Sequence, residues 1–290
     1  MPLIELNEVS KVYGFGDATT LALDEVSLSV EKGEFIAVMG PSGCGKTTLM
    51  NVIALLDRPS HGTYLLDGRH ASHLRPGQQA KLRRDRIGFV FQFYNLLPRL
   101  NVLENVALPL AYKDMTPVRR NKRAGDLLER VGLSDREYFM PRHLSGGQAQ
   151  RAAIARALIN NPGILIADEP TGNLDSHDSK VVMELLADIH RQGNTVLLVT
   201  HNPELTRYAN RVIFMHDGMI IGDETSAIGR LAKGVNRYYR RHKKTDDDIA
   251  AGVSAMMHEI PNNALKTEPK KPKPGRPRKV TKRSRRKAKG

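Results

Sequence analysis

A chain of 290 residues with 40% hydrophobic side chains can hold one large domain or two smaller ones and bury a substantial core. One cysteine excludes an internal disulfide framework and fits a reducing compartment. No stretch approaches about 18 uninterrupted apolar residues, and the N-terminal MPLIELNEVSKVYG lacks a charged segment leading into an apolar run, so neither a membrane span nor a signal peptide is expected. The net charge of +14 is concentrated at the C-terminus: residues 262–290 hold 13 Lys or Arg against the single acid Glu268, leaving residues 1–261 at +2. Any attraction to polyanions therefore rests on that tail.

In chain order, LIELNEVSKVY and LALDEVSLSV alternate like half-buried antiparallel strands. EFIAVMG is a short apolar strand that runs into a Gly-rich loop, with a helix beginning near Lys46, and RIGFVFQ is another strand. From Pro98 to about Asn160 the pattern turns helical, with NVLENVALPLAY and RNKRAGDLLERVGL as amphipathic segments. GILIAD and TVLLVTH are apolar runs of the kind found in buried parallel strands. The segment DSKVVMELLADIHRQG supplies the crossover helix between them, with Gly193 as its C-cap. RVIFMHDGMIIGD is a hairpin turned at Asp217-Gly218. The organisation is an α/β core interrupted by a mostly helical insert at about residues 95–158.

Three motifs carry chemistry. GPSGCGKTT, residues Gly40, Pro41, Ser42, Gly43, Cys44, Gly45, Lys46, Thr47 and Thr48, fits G-x-x-x-x-G-K-[ST] between a strand and a helix. Such a loop surrounds a β-phosphate with backbone N–H groups at a helix N-terminus. Lys46 reaches the β- and γ-phosphates and the Thr47 hydroxyl belongs on Mg²⁺. Cys44 fills a variable position as a small tolerated residue, not a nucleophile, although a thiol beside phosphates is open to oxidation. In ILIADEP the strand end presents Asp168, suited to the Mg²⁺ shell, and Glu169, suited to a water attacking the γ-phosphate. In HLSGGQAQRAAIARAL a serine and two glycines precede a helix whose apolar face is Ala152, Ile154, Ala155 and Leu158, which reads as an anion-binding helix start.

Phosphate loop, Asp-Glu strand end and Leu144-Ser145-Gly146-Gly147-Gln148, in this order, resemble the nucleotide-binding subunit of an ATP-binding cassette (ABC) protein over about residues 2–225. The resemblance implies an α/β fold: a P-loop NTPase core of mixed sheet flanked by helices, with an antiparallel β subdomain and a helical ABC-signature subdomain. It implies ATP and Mg²⁺ as cofactors, with Thr47, Gln92 and Asp168 at the metal and Glu169, His201 and Lys46 in catalysis. Tyr13 matches the aromatic residue that stacks on adenine, and His201 the histidine that contacts the γ-phosphate. Asn173, Leu174 and Asp175 match the loop that crosses to the partner subunit. Two subunits would pack head to tail, as a homodimer or with a paired ATPase subunit, so that Ser145 and the Gly146 and Gly147 amides close over the ATP held by the other protomer.

FQFYNLLPRLNVLENVALPL and DEPTGNLDS resemble the MacB/LolD/FtsE group, which drives macrolide or peptide export, lipoprotein release and cell-division signalling. That likeness implies a separate transmembrane permease subunit, docked near Gln92 to Val106 against Phe93, Tyr94, Leu96 and Leu97, and a peripheral cytoplasmic place on the inner membrane face. Residues 226–260 are expected to form two amphipathic helices, and 261–290 a disordered basic tail for anionic lipid or nucleic acid. The alternative reading is a soluble ABC ATPase that associates with nucleic acid through the tail, and a poorly hydrolysing regulatory subunit is a third.

Overall fold

The structure, a computed structural model, describes residues 1–15 and 18–224. The helices expected over 226–260 and the tail 261–290 lie outside the described residues. The elements are β1 (Ile4–Tyr13), β2 (Thr20–Val30), β3 (Phe35–Met39), α1 (Lys46–Ile53), β4 (His61–Leu66), β5 (Arg69–His70), α2 (Pro76–Arg86), β6 (Ile87–Val90), α3 (Val102–Ala107), α4 (Pro117–Arg130), α5 (Gly146–Leu158), β7 (Ile164–Asp168), α6 (Ser176–Arg191), β8 (Thr195–Val199), β9 (Arg211–His216) and β10 (Met219–Glu224).

Two sheets form. A six-stranded sheet runs β10-β9-β3-β8-β7-β6, parallel except for the β9–β10 hairpin, and a four-stranded antiparallel sheet runs β2-β1-β4-β5. The unbroken apolar runs in β7 and β8 follow from burial on both faces. Ile164, Ile166, Leu197 and Val199 face one core, shared with α1 and the antiparallel sheet. Leu165, Ala167, Val196 and Leu198 face the other, shared with α3 to α6. Each such Val, Leu or Ile contributes roughly 1.5–3 kcal/mol by leaving water, so the strands that end at the loops of interest are firmly held.

α1 lies between the sheets, burying Leu49, Met50, Val52 and Ile53. Its far end is fixed by Tyr64, a fully buried side chain whose hydroxyl donates to Ile53 O at 2.7 Å. Burial pushes that hydroxyl's pKa upward, so it stays a neutral donor. The helical insert between β6 and β7 is anchored by Asn105, whose side chain donates to Leu97 O, Leu100 O and Asn101 O and accepts from Leu97 N. A wholly buried amide is satisfied there only because all its partners lie on one loop.

Candidate functional site

The loop of residues 40–45 joins the end of β3 to α1, and its geometry follows from its glycines. Gly45 is the N-cap of α1 with φ of 100°, and a Cβ there would stand 2.5 Å from Ala22 O. Only glycine fits a left-handed residue pressed so closely on β2. No side chain caps α1, so its first-turn amides and the positive end of its dipole are left to a ligand. Lys46 Nζ donates to Gly40 O at 2.7 Å and Pro41 O at 2.8 Å, bending over the loop. The loop opens on a cavity of about 330 Å³ lined by Thr20–Ala22, Gly43, Gly45–Thr48, Asp217 and Gly218. The hairpin turn closes one wall: Gly218 N donates to Cys44 O, and Asp24 N donates to Gly218 O, both at 3.0 Å. Cys44 itself is buried, and burial raises its thiol pKa against the opposing pull of Lys46, which disfavours the nucleophilic thiolate.

The strand end of β7 brings the second set of groups. Burial, then the neighbouring Glu169 charge, raises the Asp168 carboxyl pKa, while Lys46 acts to lower it. Lys46 and Asp168 therefore share one electrostatic site, although they start from different strands. Glu169 is left-handed at φ 45° and its amide donates to Val199 O at 2.9 Å. Its Oε1 accepts from His201 N at 3.0 Å and lies 2.7 Å from His201 Nδ1. An ionised carboxylate only accepts, so Nδ1 is the protonated ring nitrogen in this arrangement. Gln92 lies over the next turn: its carbonyl accepts from Asn173 Nδ2 at 3.1 Å, and its side-chain amide packs where a Cβ on Gly172 would meet it at 3.0 Å.

The serine-glycine turn sits elsewhere. Ser145 Oγ accepts from Gln148 N at 3.2 Å and Gln148 Oε1 accepts from Ser145 N at 2.9 Å, a complete capping box at the start of α5. Gly147 N donates to Asp178 Oδ2 at 3.1 Å, and Asp175 Oδ1 holds the Asp178 amide at 2.8 Å. A Cβ on Gly147 would fall 2.3 Å from Asp178 Cγ, and one on Gly146 would fall 2.9 Å from the Tyr94 hydroxyl and 3.1 Å from Leu174. α5 thus begins in a tight joint with the loop of Tyr94 and the start of α6. Its two arginines are structural: Arg151 donates to Val131 O behind α4, and Arg156 donates to Tyr94 O and Asn95 O. Among the described residues no hydrogen bond or ion pair joins residues 144–148 to residues 40–48. Leu144 packs on the helical core and Phe93 is 71% exposed.

Tyr13 ends β1 with 40% of its surface exposed, its hydroxyl donating to Asp57 Oδ2 at 2.7 Å. Several residues at or beside the site have no motif to announce them. Leu21 and Ala22 read as strand, Thr20 only as the residue before it, and Asp217-Gly218 reads only as a hairpin turn. Lys11 reads only as part of a strand, Asp178 as the start of the crossover helix, and Asp57 stands outside every motif. Position in the fold, not residue type, brings them to the site.

The ABC transporter family description matches residues 23–172. The uncharacterized ABC transporter ATP-binding protein YvrO of Bacillus subtilis (strain 168) is 46% identical over 226 residues, 78% of this chain and 99% of that one. The macrolide export ATP-binding/permease protein MacB of Marinobacter nauticus is 48% identical over 267 residues, but these are 92% of this chain and 41% of that one. Among solved structures, the dimeric post-hydrolysis state of the ATP-binding cassette MJ0796 bound to ADP and Pi superposes with a TM-score of 0.72 at 42% identity, over 78% of this chain and all of that one. With the phosphate loop, the paired carboxylates and the serine-glycine helix start in one cassette fold, the chain belongs to the ABC transporter family and carries its ATP-binding, ATP-hydrolysing cassette.

Proposed function

We propose that this cassette works as an ATP-sandwiched dimer that drives a separate transmembrane partner of the MacB type, with Glu169 as the general base. The observation that carries the reading is the grouping of Glu169, His201 and Asp168, at the ends of the adjacent β7 and β8, with Lys46, which opens the helix that follows the neighbouring β3. The amides of residues 40–48 and Lys46 would cradle the phosphates, and Tyr13 would stack on the base. Thr47, Gln92 and Asp168 are hard oxygen donors, and a half-buried Asp168 beside a second carboxylate fits a divalent cation that offsets both charges. Mg²⁺ held there would supply charge neutralisation on the β- and γ-phosphates. Glu169 would take a proton on Oε2, the oxygen His201 does not hold, from a water whose oxygen bonds to the γ-phosphorus as the bond from that phosphorus to the ADP oxygen breaks, giving ADP and inorganic phosphate. His201 fixes the carboxylate through Oε1 and would present its ring to the γ-phosphate.

Ser145 and Gly146 of each protomer would close over the other protomer's ATP. Support comes from their lack of bonds to their own phosphate loop and from the dimeric state of MJ0796. Asn173, Leu174 and Asp175 would cross the dimer axis. The name of MacB joins ATP-binding to permease, whereas YvrO, 99% of which this chain spans, is named for ATP binding alone. No helix among the described residues is long and apolar enough to cross a membrane. The two names support a membrane partner, and that of YvrO supports carrying it on a second chain, which would put the cassette at the inner membrane face. The cations of 262–290 would reach acidic headgroups, each contributing roughly 1 kcal/mol near the surface. Deleting them should leave hydrolysis unchanged and abolish salt-sensitive binding to anionic vesicles. Tight binding to one DNA sequence would instead favour nucleic acid.

The decisive test is Glu169→Gln. The variant should bind ATP as the parent does, accumulate as a dimer on size exclusion, and release phosphate about 10²–10⁴-fold more slowly. A parental rate would sink the base assignment. Mixing Lys46→Ala chains with Ser145→Arg chains should restore partial activity, because one of the two composite sites is then intact.

A further inference from the structure

Tyr13 is held by more than its own strand. Its hydroxyl donates to Asp57 Oδ2 at 2.7 Å, while Lys11 Nζ donates to Asp57 Oδ1 at 2.6 Å and to Arg58 O at 2.8 Å. Lys11 and Tyr13 are two apart on β1 and so share a face. The ammonium sits 4.8 Å from the Tyr13 ring centroid, a cation–π contact. The tyrosine is thus fixed at both ring and hydroxyl by one ion pair whose lysine is largely buried.

The position of Asp57 gives this clamp its meaning. The amides of Leu56 and Asp57 both donate to Asn51 O, in the last turn of α1, and α1 begins in the phosphate loop. One helix therefore sets the phosphate cradle at its start and the tyrosine's anchor just past its end. We infer that Lys11 and Asp57 are positioning residues for nucleotide binding, holding the Tyr13 ring ready for the base at a fixed offset from the phosphates.

The physical gain is preorganisation. A half-exposed tyrosine free to rotate would lose rotamer entropy on stacking, and one already clamped loses little. The protonation states agree. Burial and then Asp57 raise the Tyr13 pKa, which keeps the phenol a donor. Asp57 remains a carboxylate: burial works to raise its pKa, but the hydrogen bonds from Lys11, Tyr13 and the Arg58 amide outweigh it. The inference rests on the reading that Tyr13 stacks on the base.

The test measures calorimetric affinity for ATP and for inorganic tripolyphosphate, which has no base, alongside the melting temperature. Tyr13→Phe keeps the ring and removes the tether, and Asp57→Ala removes the anchor. Each should weaken ATP about 3–10-fold, leave tripolyphosphate unchanged, and add little to the other in the double variant. Asp57→Asn, which retains an acceptor for the phenol, should recover part of the loss. Parental ATP affinity in Tyr13→Phe and Asp57→Ala overturns the clamp while leaving stacking intact if Tyr13→Ala still weakens ATP. No effect of Tyr13→Ala overturns stacking and the clamp together. Equal weakening of ATP and tripolyphosphate by Asp57→Ala also overturns the clamp, because the residue would then act through the phosphate loop.

Discussion

Two helices of this chain begin at glycine turns suited to anions, and the chain finishes them differently. α1 starts at Gly45 with no side-chain cap. α5 starts with the Ser145–Gln148 box and with Asp178 already bonded to the Gly147 amide. The first helix offers its dipole to whatever fills the cavity. The second has part of its dipole answered by a carboxylate from its own chain, so a phosphate arriving at Ser145 meets a like charge. The difference separates two tasks. On the proposed reading, the first would hold nucleotide on a single chain, and the second would close on phosphate only when something else supplies enough attraction to outweigh Asp178.

That contrast can be broken at either end. The largest effect is expected at α1: Lys46→Ala should weaken ATP binding about 10–10²-fold, the scale of one or two charge-assisted hydrogen bonds. Calorimetry checks it, and parental affinity would remove the lysine from the site. At α5, Gly147→Ala should destabilise the chain by about 1–3 kcal/mol, as overpacking does, because its Cβ has no room beside Asp178. The melting temperature should fall, and Asp178→Ser in the same chain should restore most of it. Additive losses would mean that the two residues do not meet in solution. Asp178→Asn keeps the shape and removes the charge. ATP-driven dimers should then form at about 2–5-fold lower protein concentration, the range of one helix-dipole interaction, with single-chain ATP affinity unaltered. Unchanged dimerisation would show that Asp178 does not compete with phosphate.

The smallest effect concerns acid. Hydrogen bonds from Lys32 and Arg84 lower the carboxyl pKa values of Asp67 and Asp85, and the Lys11 and Tyr13 bonds lower that of Asp57 against its burial. A carboxyl depressed in the folded state adds stability above its unfolded pKa of about 4, and that stability is lost as pH falls through the folded value. The melting temperature should be flat from about pH 7 to 5 and decline below about pH 4. Asp57→Asn should lose part of that acid-dependent decline.

Much of this was legible in the sequence because the chemistry is contiguous. Gly40 to Thr48, Asp168-Glu169 and Leu144 to Gln148 each declare a local geometry, and β3, β7 and β8 declare burial by their apolar runs. The Asp217-Gly218 hairpin appears where turn chemistry puts it, and the crossover helix ends one residue earlier than expected, capped at Gln192 with Gly193 left-handed just beyond. The elements that periodicity does not mark are β4, β5 and α2. α2 buries only Gln79 and Leu82 among charged residues, so no apolar stripe betrays it. The polar groups that finish the site stayed hidden for a different reason. Asp178 and Asp57 are ordinary acids in sequence, and their partners Gly147 and Tyr13 lie 31 and 44 positions away. No local pattern encodes such pairings.

The β9–β10 hairpin has a mechanical side. β10 is the outermost strand of its sheet, and the chain leaves it at Glu224. Its turn is also a wall of the phosphate cavity, bonded through Gly218 to Cys44 and Asp24. Six residues of strand separate Glu224 from the turn that walls the cavity. By linkage, if displacing Glu224 changed affinity in the cavity, filling the cavity would bias Glu224 by the same free energy. The cavity wall and the last described residue thus belong to one hairpin.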